Sequence, residues 1–194
     1  MRAGRPKEFV EEDALEKAMD LFWLHGFNGI GLSDLLRGMG IARQSLYNTF
    51  GNKRDLFIRS IGHYEQTRLR IALELLEQSP SPLEGVKGVM KFFRDLALDK
   101  QCRGCFVANA LVEMAPHDPK IVTLLRKTLA RLERSLAASL ERARCLGELP
   151  KSKPPAPLAK ALINALIGMA VTGKLKPGRA AVNDIYAGTL SMLE

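Results

Sequence analysis

Apolar residues recur along this chain at steps of three and four almost throughout, with no sustained period-two alternation and few of the β-branched and aromatic clusters that mark strands. The pattern predicts an all-α fold. Leu15, Ala18, Met19 and Phe22 follow i, i+3, i+4, i+7 in a first helix; Glu11, Glu12 and Asp13 lie at the positive end of its dipole, and Gly26 stops it. Two short helical segments follow near 33–38 and 42–49, separated by Gly40-Ile41, which is too tight for anything but a helical turn. Asn52 is placed to cap the next helix, with Asp55 as its reciprocal partner, and that helix should run to about Glu77. Ser81-Pro82-Leu83-Glu84 combines an N-cap serine, a proline at the first helical position and a capping-box glutamate, opening a helix that should reach about Lys100. A short apolar segment from Cys105 to Ala115 ends at Pro116. His117-Asp118-Pro119 then opens a long helix striped by Val122, Leu125, Leu129, Leu132 and Leu136 and terminated by Gly147. After a proline-rich loop at 151–157, two closing helices are expected at about 158–173 and 180–193.

The first closing helix carries the most telling pattern of the second half. From Leu158 to Val171 the residues that are not clearly apolar are Lys160, Asn164 and Gly168, four apart on one narrow stripe. A helix apolar over most of its circumference needs cover on more than one side, and a second copy of the chain is the natural cover. With Val182, Ile185, Tyr186, Thr189 and Leu193 striping the last helix, the pattern predicts an isologous homodimer interface that includes Leu162, Leu166, Met169, Ile185 and Thr189. A central helix of a monomeric bundle is the alternative.

Composition narrows the class. The 194 residues are 46% apolar and 26% charged, enough to bury one or two ordinary cores. Cysteines at 102, 105 and 145 cannot form a disulfide framework and leave an odd thiol, which points to a reducing compartment. The amino terminus lacks the apolar stretch of a secretory signal, and the longest apolar run, Ala165 to Val171, is too short to span a bilayer. The expectation is a soluble, cytoplasmic protein with no membrane partner. The net charge of +8 suggests nucleic acid, but residues 1–56 hold eight basic and eight acidic groups, so the whole excess lies in residues 57–194. A nucleic-acid site in the first part must work through local patches. In the second part Lys127, Arg131 and Arg134 read as a solvated helix face.

One such patch is visible. In the second short segment Leu46 and Phe50, with Leu35, Leu36 and Ile41 before them, can pack inward, which leaves Arg43, Gln44, Ser45, Tyr47, Asn48 and Thr49 facing out. A face of amides, hydroxyls, one guanidinium and one phenol, nearly free of carboxylates, suits base edges and phosphates. Gly26-Phe27, Leu35, Gly40-Ile41, Ser45-Leu46-Tyr47, Phe50, Lys53 and Leu56, at this spacing, resemble the amino-terminal signature of the tetracycline-repressor (TetR/AcrR) family of transcriptional regulators, over about residues 8–57. The resemblance implies a homodimer with a helix-turn-helix DNA-binding domain, here 1–56, and a ligand-binding and dimerisation domain, here 57–194. It implies a repressor that leaves a palindromic operator when a small-molecule inducer binds or a thiol is modified. Carried over residue by residue, Arg43, Gln44 and Asn48 become base-edge readers, and Tyr47 reaches a phosphate or a thymine methyl. Ser45, Thr49, Ser33 and Lys53 take phosphate oxygens, Lys53 with help from the start of the fourth helix. The family usually has threonines where this chain has Gly31 and Leu32, so that helix start loses a side-chain cap. Gly4-Arg5-Pro6-Lys7 forms a basic arm whose Arg5 could enter a minor groove.

Cys102-Arg103-Gly104-Cys105 is the one chemically pointed feature of the second domain. A helix start and a neighbouring cation both lower a thiol's pKa, which would make Cys105, with Cys102, a sensor. The stretch from Gly104 to Glu113 also resembles the branch of the family that includes the electrophile-responsive regulator of N-ethylmaleimide reductase, whose sensing cysteine falls at Cys105. A buried, inert cysteine is the competing reading. The inducer cavity is expected among the helices at 55–77, 84–100, 105–115 and 119–147. No metal site and no cofactor are expected. An alternative from another class, a helical-bundle small-molecule-binding or redox protein without DNA binding, is poorly served by three scattered histidines and no nucleophile–base spacing.

Overall fold

The computed structural model describes residues 10–194, and every regular element among them is helical. The chain divides into two compact units, the first ending at Gln66 and the second running from Thr67.

The first unit holds α1 (Glu11–His25), α2 (Leu32–Met39), α3 (Arg43–Phe50) and α4 (Lys53–Tyr64). Its core takes Ala18, Met19 and Phe22 of α1 as expected, together with Ala14 and Trp23, while Leu15 is half-buried. Aromatic edges close it: Phe57 meets Phe22 at 5.0 Å and Phe27 at 5.2 Å, and Tyr64 meets Trp23 at 5.0 Å. The last of these contacts explains why the unit extends past the boundary expected at residue 56. The apolar stripe of α4 continues through Phe57, Ile61 and Tyr64 along α1, and His63 pairs with Glu16 at 2.6 Å, so the whole helix belongs to the head.

The helix expected to run unbroken to Glu77 is interrupted. A π-helical turn at Glu65–Leu69 separates α4 from α5 (Arg70–Gln78), inserting one residue beyond the α register. The second unit continues with α6 (Pro82–Ala97), α7 (Phe106–Met114), α8 (Pro119–Cys145), α9 (Pro155–Gly173) and α10 (Arg179–Leu190), followed by a 3-10 turn, Ser191–Leu193. Here α6 is central, packed on α5, α8, α9 and α10. Gly173 allows α9 to close on it, because a Cβ there would stand 2.5 Å from the carbonyl oxygen of Ala97.

The capping signals form with one exchange of partners. Ser81 Oγ accepts from the Glu84 amide as expected, but the second acceptor at this helix start is Glu148 from the α8–α9 connection. Its Oε2 takes the Ser81 hydroxyl at 2.8 Å and the Leu83 amide at 2.9 Å, while Glu84 turns out to pair with Lys87. Asp118 caps α8 through the amides of Lys120 and Ile121. In α8, Leu125, Leu132 and Leu136 are buried as expected, whereas Val122 and Leu129 are half-buried, and Ile121, Thr128 and Ser139 take inward positions. By length and composition α9 is apolar enough to cross a membrane. Its Leu158, Leu162, Ile163, Leu166 and Met169 are instead buried in the core of this unit.

Candidate nucleic-acid interface

The outward segment is held by the turn that precedes it. Gly40 adopts φ +71°, a left-handed conformation that glycine enters without cost, and its N–H donates to the carbonyls of Leu36 and Arg37 while the Ile41 N–H donates to Leu36. This closes α2 and redirects the chain into α3 within two residues. Leu46 and Phe50 are then fully committed to the core with Leu35 and Met39. With that side taken, the other side of α3 is surface: Arg43, Gln44, Tyr47 and Asn48 are exposed, and Ser45 and Thr49 are half-buried at its flanks. Gln44 Nε2 donates to Asn48 Oδ1 at 2.9 Å, holding two amides side by side, one turn apart. No carboxylate lies on α3.

Neither α2 nor α3 has a side-chain cap, their N-cap residues being Gly31 and Ala42. The first-turn N–H groups of α3, with no acid beside them, are therefore donors suited to an anion, whereas those of α2 stand beside both exposed Ser33 and Asp34. The start of α4 differs from expectation. Asn52 Oδ1 accepts from the Asp55 N–H and Asp55 Oδ2 from the Asn52 N–H, so this end is partly closed by its own capping box. Lys53 is half-buried: its ammonium donates to the Ile30 carbonyl at 2.5 Å and lies 4.6 Å from the Phe27 ring centroid, so it braces the α1–α2 connection. Arg5 falls outside the described residues.

Arg59 is the residue that sequence reasoning missed. Its guanidinium donates to the Thr49 carbonyl at 2.9 Å, lies 4.8 Å from the Phe50 ring centroid and pairs with Glu11, fastening the end of α3 to α4 and α1. No local spacing announces it, because its partners lie 10 and 48 residues away.

An acid-free helix face presented by a glycine-closed turn matches known proteins over its whole context. A family model described as bacterial regulatory proteins, tetR family, matches residues 14–59, and one described as tetracyclin repressor-like, C-terminal domain, matches residues 82–187. The chain belongs to the TetR family. Among its relatives, the HTH-type transcriptional regulator YezE of Bacillus subtilis (strain 168) is 31% identical over 98% of this chain and 100% of its own length. The HTH-type transcriptional repressor ComR of Escherichia coli (strain K12) is 29% identical over 97% of this chain and 91% of its own. A cysteine mutant of the TetR family regulator CifR, in complex with a 26-base-pair operator DNA, superposes with a TM-score of 0.85 at 28% identity, covering 98% of this chain and all of that one. The protein is accordingly a TetR-family DNA-binding transcriptional regulator, with its helix-turn-helix formed by α2 and α3.

The dimer residues read from sequence need correction. In this TetR-family chain Leu162 and Leu166 are 0% exposed, Met169 1% and Thr189 4%, so a partner subunit could remove almost no further surface from them. Ile185 is half-buried. The strongest apolar side chains of α9 face the core of the second unit, and its outer face is the narrow stripe of Lys160, Asn164 and Gly168, flanked by half-buried Ala161 and Ala165 and by exposed Val171.

An enclosed apolar cavity of about 10 Å3 lies within the second unit. Phe93 of α6, Val107 of α7 and Leu132 of α8 line it as expected, but Leu166 of α9 is a wall that the sequence did not suggest. Cys105, the N-cap of α7, is buried at its edge. Cys102 is half-buried at φ +53° with Sγ 3.8 Å from the Lys100 carbonyl, and Cys145 is exposed on α8. Arg103, the cation expected beside the thiol, pairs with Asp99 at 3.0 Å. Among the described residues no group of three or more His, Cys, Asp and Glu side chains could hold a metal ion.

Proposed function

We propose that this regulator is a cytoplasmic homodimeric repressor that grips a pseudo-palindromic operator with one α3 in each of two successive major grooves and leaves it when the body is loaded or modified. The observation that carries the reading is the acid-free face of Arg43, Gln44, Tyr47 and Asn48, whose reverse side is locked by Leu46 and Phe50. The paired amides of Gln44 and Asn48 suit a purine edge, and Arg43 a guanine. Tyr47, Ser45, Thr49, Ser33 and the open N–H groups of α3 serve phosphates and set the register. Lys53 adds charge behind that line, and Arg5 of the basic arm reaches an adjacent minor groove. The operator complex of CifR and the repressor activity in the name of ComR support operator binding and repression.

Two subunits meet through the open stripe of α9 at Lys160, Asn164, Gly168 and Val171 together with Ile185 of α10. Gly168, flanked by Ala161 and Ala165, lets two helices approach closely there. The signal reaches the body as an inducer in the cavity or as modification of Cys105, with Cys102 as the second thiol, shifting the population to a head spacing that no longer fits the operator.

Selection from a randomised duplex pool tests this. The retained sites should be two-fold symmetric with half-site centres one helical turn apart or a multiple of it, and affinity should fall steeply with salt. Arg43→Ala should relax base preference at one position in each half-site. A protein that retains no duplex with salt-sensitive affinity would end the reading. For the thiol, a Cys105→Ser protein that still releases DNA normally under hypochlorite or N-ethylmaleimide would remove it as the sensor.

A further inference from the structure

The cavity in the body says what kind of molecule it takes. Its walls are hydrocarbon: Leu69, Phe93, Val107, Leu132 and Leu166 surround it, and no charged side chain lines it. The polar side chains in its lining are Cys105 and Thr128, and the Thr128 hydroxyl donates to the Leu124 carbonyl of its own helix. A carboxylate or ammonium entering this space would leave water and find no opposite charge, so charged ligands are disfavoured outright. An uncharged apolar molecule loses little and gains close contacts.

The size of the cavity adds a second constraint. About 10 Å3 is the space of a single water molecule, whereas a dry apolar cavity that admits benzene measures on the order of 150 Å3. An occupant must therefore move a wall. Phe93, Val107 and Leu166 project from α-helices in tightly packed surroundings, each 2% exposed or less. Leu69 differs, because it is the last residue of the π-helical turn Glu65–Leu69. That turn carries one residue more than the α register needs, and its hydrogen bonds can be exchanged for α-type bonds by a local rotation. With Cys105, which precedes α7, Leu69 is one of two lining residues outside the α-helices, and the one whose displacement also alters the register between α4 and α5.

We propose that the cavity is the effector site for a compact uncharged apolar molecule, of the size of a single ring, which enters by displacing Leu69 and is read by the π-helical turn. This rests on the reading of the protein as an inducible regulator but not on its DNA contacts. The arrangement makes occupancy and helix register one event: the molecule that fills the cavity shifts the turn between α4 and α5.

Three probes with the same ring separate the classes: toluene, benzoate and benzylamine. With the free protein and no DNA present, toluene at about tenfold its dissociation constant should raise the melting midpoint by about 3 °C, while the two charged probes should leave it unchanged. Hydrogen exchange with toluene bound should change at amides 65–73 and stay unchanged in α10. Ala108→Leu, which projects into the cavity, should abolish the toluene shift. If benzoate or benzylamine stabilises as much as toluene, or if exchange at 65–73 does not respond, the proposal is wrong. It also fails if the shift persists in an Ala108→Leu protein that melts like its parent; should that variant not fold, the three probes on the unaltered chain decide the matter. Because these measurements need no operator, their outcome is independent of whether a DNA site is found.

Discussion

Replacing Lys53 with methionine separates two roles that a single lysine fills in the head. The ammonium donates to the Ile30 carbonyl at 2.5 Å and lies 4.6 Å from the Phe27 ring centroid, so Lys53→Met removes one charge-assisted hydrogen bond and one cation–π contact while keeping an apolar stem. Such a bond contributes about 1.5 kcal/mol in a half-buried setting, and the ring contact about 0.5–1 kcal/mol. The thioether returns some of the latter. The expected loss is about 2 kcal/mol. Trp23 is the one tryptophan of the chain, it is buried in the head against Tyr64, and its fluorescence in urea therefore reports on this unit. The midpoint should move down by about 1 M if the unit's m-value is about 2 kcal/mol/M. If the same ammonium also meets a phosphate, the slope of log affinity against log salt should fall by about 0.9 per subunit. An unchanged urea midpoint would refute the bracing role. A lowered midpoint with an unchanged salt slope would confine Lys53 to the interior of the head and leave the phosphates to Ser33, Ser45, Thr49 and the open start of α3.

Two further outcomes follow from the body. Gly173→Ala should destabilise it by about 1–3 kcal/mol, seen in far-UV circular dichroism against urea, because the new methyl would stand 2.5 Å from the Ala97 carbonyl oxygen. Gly168→Glu and Leu162→Ala should part ways in sedimentation and in melting: the first, on the open stripe of α9, should give folded monomers, whereas the second should cost about 2–5 kcal/mol of subunit stability because Leu162 is fully buried within its own subunit.

The elements themselves were legible in the sequence because caps, breakers and apolar periodicity are local. Asn52 with Asp55, Ser81, Asp118 with Pro119, and the glycines at 26, 40 and 147 mark helix ends through contacts within a few residues, and the structure places those ends accordingly. The outward face of α3 was also local, because on a helix this short the positions of Leu46 and Phe50 already decide which side remains.

Tertiary structure decided what periodicity leaves degenerate. A helix apolar on most sides does not say which side meets its own subunit, and α9 turned Leu162, Leu166 and Met169 inward and the Lys160–Asn164–Gly168 stripe outward. Arg59 clamps α3 through partners distant in sequence, and Glu148 reaches back 67 residues to the cap at Ser81. The π-helical turn at 65–69 has no local breaker to announce it. Such features arise from contacts between segments far apart along the chain, and residue order carries information about neighbours only to within about a helical turn.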